Sequence, residues 1–204
     1  MGGIVGAGAV SNSGVVGQFP TGHVLKIYSN TDATTALYAS GTDADPLGGA
    51  SGLRAPANGS NIKVTVSNSK FWVFATVSSS WAGTVSSSHS ISASDFGLFI
   101  TRTNVSGSST ARLDNGTDNE SQRAGDNYCF GTDDQIVSYN PYDSRCFVLA
   151  MLDTPNAAAG SQFYYSIGMA QRTSGGSGFA YNRCGIGAGS GHSASTITVT
   201  EIAP

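Results

Sequence analysis

The chain has 204 residues, 39% of them hydrophobic and 11% charged, and its 10 Lys and Arg against 13 Asp and Glu leave a formal net charge of −3. Average soluble domains carry about 25% charged residues, and here the basic residues stand singly, which excludes a polyanion-binding stripe and with it nucleic acid as the main partner. More than a third of the chain is Gly, Ser or Thr, against two glutamates (Glu120, Glu201) and three lysines (Lys26, Lys63, Lys70); so few strong helix formers cannot surface amphipathic helices, and the expected class is all-β.

Residues 1–20, MGGIVGAGAVSNSGVVGQFP, have neither helical nor strand periodicity and end at Pro20, which predicts a flexible anchoring arm. A segment this rich in Gly orders only against something else, so the arm is expected to dock on a neighbouring subunit or a partner protein. It lacks the basic start of a cleaved secretory signal, and Gly6 stands where a myristoylation signal wants Ser or Thr. No run approaches the roughly 18 apolar residues of a membrane span, so no membrane insertion is expected.

From Gly22 onward the chain reads as strands. GHVLKIYS is short and rich in β-branched residues, and NIKVTVSN places Ile62, Val64 and Val66 on one face with Lys63 and Thr65 on the other. SKFWVFATVSSSW runs from Phe71 to Val77 almost without a polar residue, as a strand buried on both faces would. DFGLFITRTN, RCFVLAMLD, GSQFYYSIGMAQRT and STITVTEI follow, separated by turn clusters such as VSGSS, DNGTD, TPNAAAG and TSGGSG. Weaker candidates lie at Thr35 to Ser40, Asp126 to Phe130 and Ala180 to Ile186. With no fixed internal period, this predicts one antiparallel two-sheet sandwich of jelly-roll type over residues 21–204. The polar stretch from Ser106 to Tyr142 is the natural exposed tip.

In order, GHVLKIYS, SKFWVFATV, LFITRTN, MLDTPNAAAGSQFYYSIGM and ASTITVTEIAP resemble a family of small bacteriophage virion proteins, the carboxy-terminal domains of tail fibres and head fibres in phages of marine bacteria. The resemblance covers residues 22–204, and its most distinctive parts are the LDTPN turn and the terminal STITVTEIAP. It implies a jelly roll shaped like tumour-necrosis-factor and complement heads, assembled as a homotrimer on the virion surface after synthesis in the host cytoplasm. It also implies attachment to tail or capsid, with the arm contacting other virion proteins and the opposite side involved in host attachment through a surface glycan or protein. Lys26 departs from the family's usual Gln, and the polar insertion around Asp114 to Asp134 is long for it, which bears on surface specificity. Capsid decoration that stabilises the head, and a carbohydrate-binding module, are the alternatives; a genome-packaging shell fits less well, because the arm has no Lys or Arg.

The residues themselves give modest support to a shared interface. Phe71-Trp72-Val73-Phe74 and Gln162-Phe163-Tyr164-Tyr165 send large side chains to both faces, so one sheet face has a partner beyond its own core, unless both segments are central strands of a thick sandwich.

Chemistry is sparse. His23, His89 and His192 are far apart and flanked by Gly or Ser, so no metal site or cofactor is expected. Asp114 to Glu120 alternates oxygen ligands around Gly116, but position twelve is Gly125 where a calcium loop needs Glu, and turn chemistry explains Asn-Gly equally well. Asp133 and Asp134 are adjacent in sequence, which in a strand sends them to opposite faces whereas a glycosidase pair must face each other across a cleft, and no GxSxG elbow stands out, so no enzymatic activity is expected. Cys129, Cys146 and Cys184 are odd in number without CxxC spacing, which predicts free, partly buried thiols. Tyr128, Tyr139, Tyr142, Phe179 and Tyr181 lie in Gly/Ser/Asn-rich loops and are the receptor-contact candidates, with anchoring of their own loops as the competing role.

Overall fold

The computed structural model describes residues 21–38, 44–82, 91–92, 96–106, 109–113, 135–136, 144–171, 178–184 and 191–204. The arm over 1–20, the Asp-rich stretch 114–134 and the expected strand at Asp126 to Phe130 lie outside them.

Among the described residues there is no helix. The strands are β1 (Val24–Asp32), β2 (Ala36–Tyr38), β3 (Arg54–Ala55), β4 (Ile62–Lys63), β5 (Lys70–Ala82), β6 (Ile91–Ser92), β7 (Phe96–Asn104) and β8 (Thr110–Arg112). They continue with β9 (Gln135–Ile136), β10 (Ser144–Asp153), β11 (Gln162–Gln171), β12 (Gly178–Tyr181), β13 (Arg183–Cys184), β14 (Gly191–His192) and β15 (Ser195–Ile202). All pair antiparallel.

The first sheet runs β1-β15-β5, with β10 on the far edge of β5; beyond Thr76, β12 takes over from β15 and pairs with β2. The second sheet runs β11-β7-β8, and the other edge of β11 is met in turn by β4, β3 and Ala44. Taken along the chain, the pairings nest: β1 with β15, the β3–β4 segment with β11, β5 with β10, β7 with β8. A nested antiparallel ribbon wound into two sheets is a jelly roll.

Side-chain alternation decides which face each strand buries. In β15 the pattern is strict: Ser195, Ile197, Val199 and Glu201 point inward while Thr196, Thr198, Thr200 and Ile202 are half exposed. Glu201 is fully buried, and its two oxygens accept from the Thr65 N–H at 2.6 Å and the Thr65 hydroxyl at 2.8 Å. That bond accounts for one departure from the expected elements: β4 ends at Lys63, because the Thr65 amide is turned to a carboxylate rather than into a ladder. Val64 keeps its inward place.

The core is aromatic where the sheets meet. Phe71 of the first sheet packs edge-on against Phe163 of the second, centroids 5.1 Å apart at 80°, and Phe163 against Tyr165 at 5.6 Å and 88°. Leu47, Leu53, Ile62, Leu98, Ile100, Leu149 and Ile167 fill the space around them. The return from β10 to β11 turns through Asn156 (φ 51°) and Gly160 (φ 87°), left-handed positions that Asn and Gly adopt with little cost. Asn182 (φ 54°) breaks the run expected at Ala180 to Ile186 into β12 and β13.

The sandwich has two unlike poles. Gly22 donates to the Ala203 carbonyl at 3.0 Å, and the register puts this end of β1 beside Ile202, Lys70 and, through Phe71, Asp153. Ser80, Ser144, Gly178 and Phe96 stand at the opposite pole, where the chain joins residues 83–90, 93–95, 137–143 and 172–177, which are outside the description.

Candidate functional site

Three surfaces carry distinctive chemistry, and the first corrects a reading of the sequence. β5 is not buried on both faces: Phe71, Val73, Ala75 and Val77 face the core, but Trp72 and Phe74 are 43% and 39% exposed. On β10 the exposed side chains are Val148 (52%) and Leu152 (49%), and on β1 Ile27 (62%). Register lines them up. Ile27, Thr200, Trp72 and Leu152 form one row across four strands; Ser29, Thr198, Phe74 and Ala150 form the next; Thr31, Thr196, Thr76 and Val148 the third. No charged residue stands in these rows. Within the rows, hydroxyls bond sideways, as Thr76 to Thr196 at 2.7 Å, which leaves an uncharged and largely apolar surface. β10, ten residues long, is an edge of this sheet, with β5 as its sole strand partner among the described residues. Cys146, on β10, is free and exposed rather than partly buried as the sequence led us to expect.

The outer face of the second sheet is finished differently. The Arg54 guanidinium lies 3.5 Å from the Tyr164 ring centroid and the Arg112 guanidinium 3.7 Å from that of Phe99. Between them Asp45 accepts from the Ser166 hydroxyl at 2.6 Å and the Thr101 hydroxyl at 3.1 Å. Gly168 is required under Phe99, since a Cβ there would sit 2.2 Å from the ring. Burial of the guanidinium holds the Arg54 pKa below its ordinary value, with its charge spent on the carbonyls of Pro56 and Ser60.

The third surface is the mouth between the sheets at the Gly22 pole. Arg102 of β7 reaches across to Asp153, the last residue of β10, in an ion pair between the two sheets. The same Asp153 oxygen accepts from the Tyr165 hydroxyl at 2.7 Å. Burial, reinforced by the Asp153 carboxylate, drives the Tyr165 pKa well above the tyrosine range. Beside this pair opens a cleft of about 290 Å³ lined by Arg102, Asn104, Ser106, Pro155, Ser161 and Gln162, with Ala157 and Phe163 behind.

The receptor-contact candidates are not assembled into a site. Tyr128, Tyr139 and Tyr142 lie outside the described residues. Phe179 is placed by its backbone, paired with Tyr38 and Trp81 in β12 at the pole away from Gly22. Tyr181 is fully buried rather than presented in a surface loop: its hydroxyl donates to Asp32 Oδ2 at 2.9 Å. It sits in a closed network in which the Asn182 amide donates to the Asp32 carbonyl at 2.7 Å and the Ser195 hydroxyl to Asn182 at 2.6 Å. Burial first, and Asp32 second, push the Tyr181 pKa far up as well. Of the histidines, His23 and His192 are at opposite poles and His89 is outside the description; no group of three His, Cys, Asp or Glu fit for a metal occurs among the described residues. The sequence reading passed over Arg102 and Asp153. Each is an isolated charge in its strand, and only the sheet-to-sheet packing brings them together.

No family model and no curated protein matches the chain. Among solved structures it is similar to the structure of Eiger TNF from S. frugiperda, at 12% identity and a TM-score of 0.35, over 89% of this chain and 94% of that one. The jelly-roll assignment stands on the nested strand pairing itself.

Proposed function

We propose that this chain is a non-enzymatic structural protein of a bacteriophage virion, a surface knob that assembles as a homotrimer and takes part in host attachment. The observation that carries the reading is the contrast between the two outer faces of the sandwich. One is dressed with Arg54, Arg112 and Asp45; the other carries the uncharged rows of Trp72, Phe74, Val148, Leu152 and Ile27, bordered by an edge strand that has no second strand partner among the described residues. Contiguous exposed apolar surface and a long bare edge are what soluble monomers avoid. Neighbouring copies of this chain, each packing on this face and edge head-to-tail around a threefold axis, would cover both. The poles supply the rest: the segment leading to the arm leaves beside Ala203, while the candidate contact segments connect at the other end, so an anchored knob would point them outward. The motif resemblance supplies the virion setting.

The test is the mass in solution, by light scattering, of the full chain and of a chain starting at Thr21. The expected result is about three times 20.8 kDa for the full chain and three copies of the shortened one. A monomer in both cases overturns the reading, and a monomer with glycan affinity replaces it with a binding module.

A further inference from the structure

We propose that the cleft at the Gly22 pole is a binding site for a neutral saccharide unit, held by Arg102, Asn104 and Gln162. Five of its eight lining residues carry guanidinium, carboxamide or hydroxyl groups, whereas ordinary small-molecule pockets are mainly apolar. Its volume, about 290 Å³, is at the small end for ligand sites and suits one sugar ring.

The chemistry follows from what each group has left to offer. Arg102 lines the cleft and gives one N–H to Asp153, and its remaining donors have no hydrogen-bond partner among the described residues. Because Asp153 neutralises it, the site carries no net charge for an anion to seek. Gln162 is exposed, and among the described residues its amide has no hydrogen-bond partner and Asn104's side chain makes only a long 3.3 Å bond to the Ser109 hydroxyl. Donors and acceptors alternating over a short span match adjacent hydroxyl groups, each of which gives one bond and takes another.

A peptide ligand fits less well. Peptides are taken through a free strand edge or through apolar side-chain pockets. The local backbone is already committed: the Asn104 amide donates to the Ser109 carbonyl at 2.9 Å and the Val105 amide to the Gln162 carbonyl at 3.1 Å. Only side chains remain to recognise anything. The site is separate from the loops at the far pole and does not depend on the assembled state, so the mass measurement and this test fail independently.

The experiment is saturation-transfer NMR on the full chain with the methyl glycosides of glucose, galactose, mannose, N-acetylglucosamine and N-acetylgalactosamine. Transfer to at least one is expected. Gln162→Ala and Asn104→Ala are each expected to weaken that binding about three- to tenfold, the value of one neutral hydrogen bond, with melting temperature and mass unchanged. Absence of transfer to all five, or transfer undiminished in both variants, overturns the proposal.

Discussion

Arg102 and Asp153 sit on different sheets, and their ion pair, shared with the Tyr165 hydroxyl, closes the sandwich at the Gly22 pole. Both side chains are mostly buried, at 16% and 11% exposure, so neither charge has bulk water to fall back on. Removing one partner of such a pair leaves the other charge stranded, which costs far more than the pair contributes. Asp153→Asn is therefore expected to destabilise the fold by about 3 kcal/mol in chemical denaturation. Arg102→Met should cost a similar amount, and the double variant less than the two together, giving a favourable coupling energy in the cycle.

The buried tyrosines set the alkaline limit. Burial and a neighbouring carboxylate keep Tyr165 and Tyr181 protonated in the fold above the pH at which a free tyrosine ionises, about 10. Below that pH both states hold the proton and the contribution is fully present; above it the unfolded chain releases protons that the fold retains. Stability should thus be level up to about pH 9 and then fall by about 1.4 kcal/mol per pH unit for each of the two residues. Tyr165→Phe should lower that slope by one residue's share, as read from urea midpoints between about pH 8 and 11.5.

Tyr28 gives a prediction of opposite sign. Its hydroxyl is buried without a hydrogen-bond partner among the described residues, an uncompensated desolvation. Tyr28→Phe keeps the ring and removes the orphan, so it should raise stability by about 1 kcal/mol in the same denaturation assay.

Gly52 is held by its neighbours' backbone. A Cβ there would lie 1.7 Å from the Leu47 carbonyl oxygen, which accepts the Leu53 amide at 2.8 Å and cannot retreat without giving up that bond. Gly52→Ala should cost about 3 kcal/mol by overpacking, visible as a lowered melting temperature with retained strand circular dichroism.

The apolar face yields a solution test. Val148→Glu places a charge at the β10 edge of the uncharged rows without touching the core, since the side chain points outward. The far-ultraviolet spectrum should be unchanged while the mass by light scattering falls from three copies to one. Thr110→Glu, on the exposed β8 of the other sheet, should leave the mass as it was.

Most long strands were legible because two-residue alternation is a local property: STITVTEI, DFGLFITRTN, RCFVLAMLD and GSQFYYSIGMAQRT appear as β15, β7, β10 and β11. The places where local reading failed share a cause. Phe71 to Val77 looks doubly buried because Trp72 and Phe74 are as apolar as Phe71 and Val73, and nothing in the strand says which face lacks a cover. Tyr181, flanked by Gly, Phe and Asn, looks like a loop aromatic, but Asp32, far away in the chain, claims its hydroxyl. Val66 lost its strand place to the contact between Thr65 and Glu201, 136 residues apart.

Composition and periodicity determined that this chain is all-β, that it is one sandwich without helices to surface it, and where its main strands lie, because helix propensity, charge content and side-chain alternation act between neighbours in sequence. The tertiary structure alone decided which strands pair within the jelly roll, the uncharged rows on its outer face, the Arg102–Asp153 clamp and the cleft beside it. Each of these depends on which strands are laid side by side, and that is settled by packing between residues far apart in the chain.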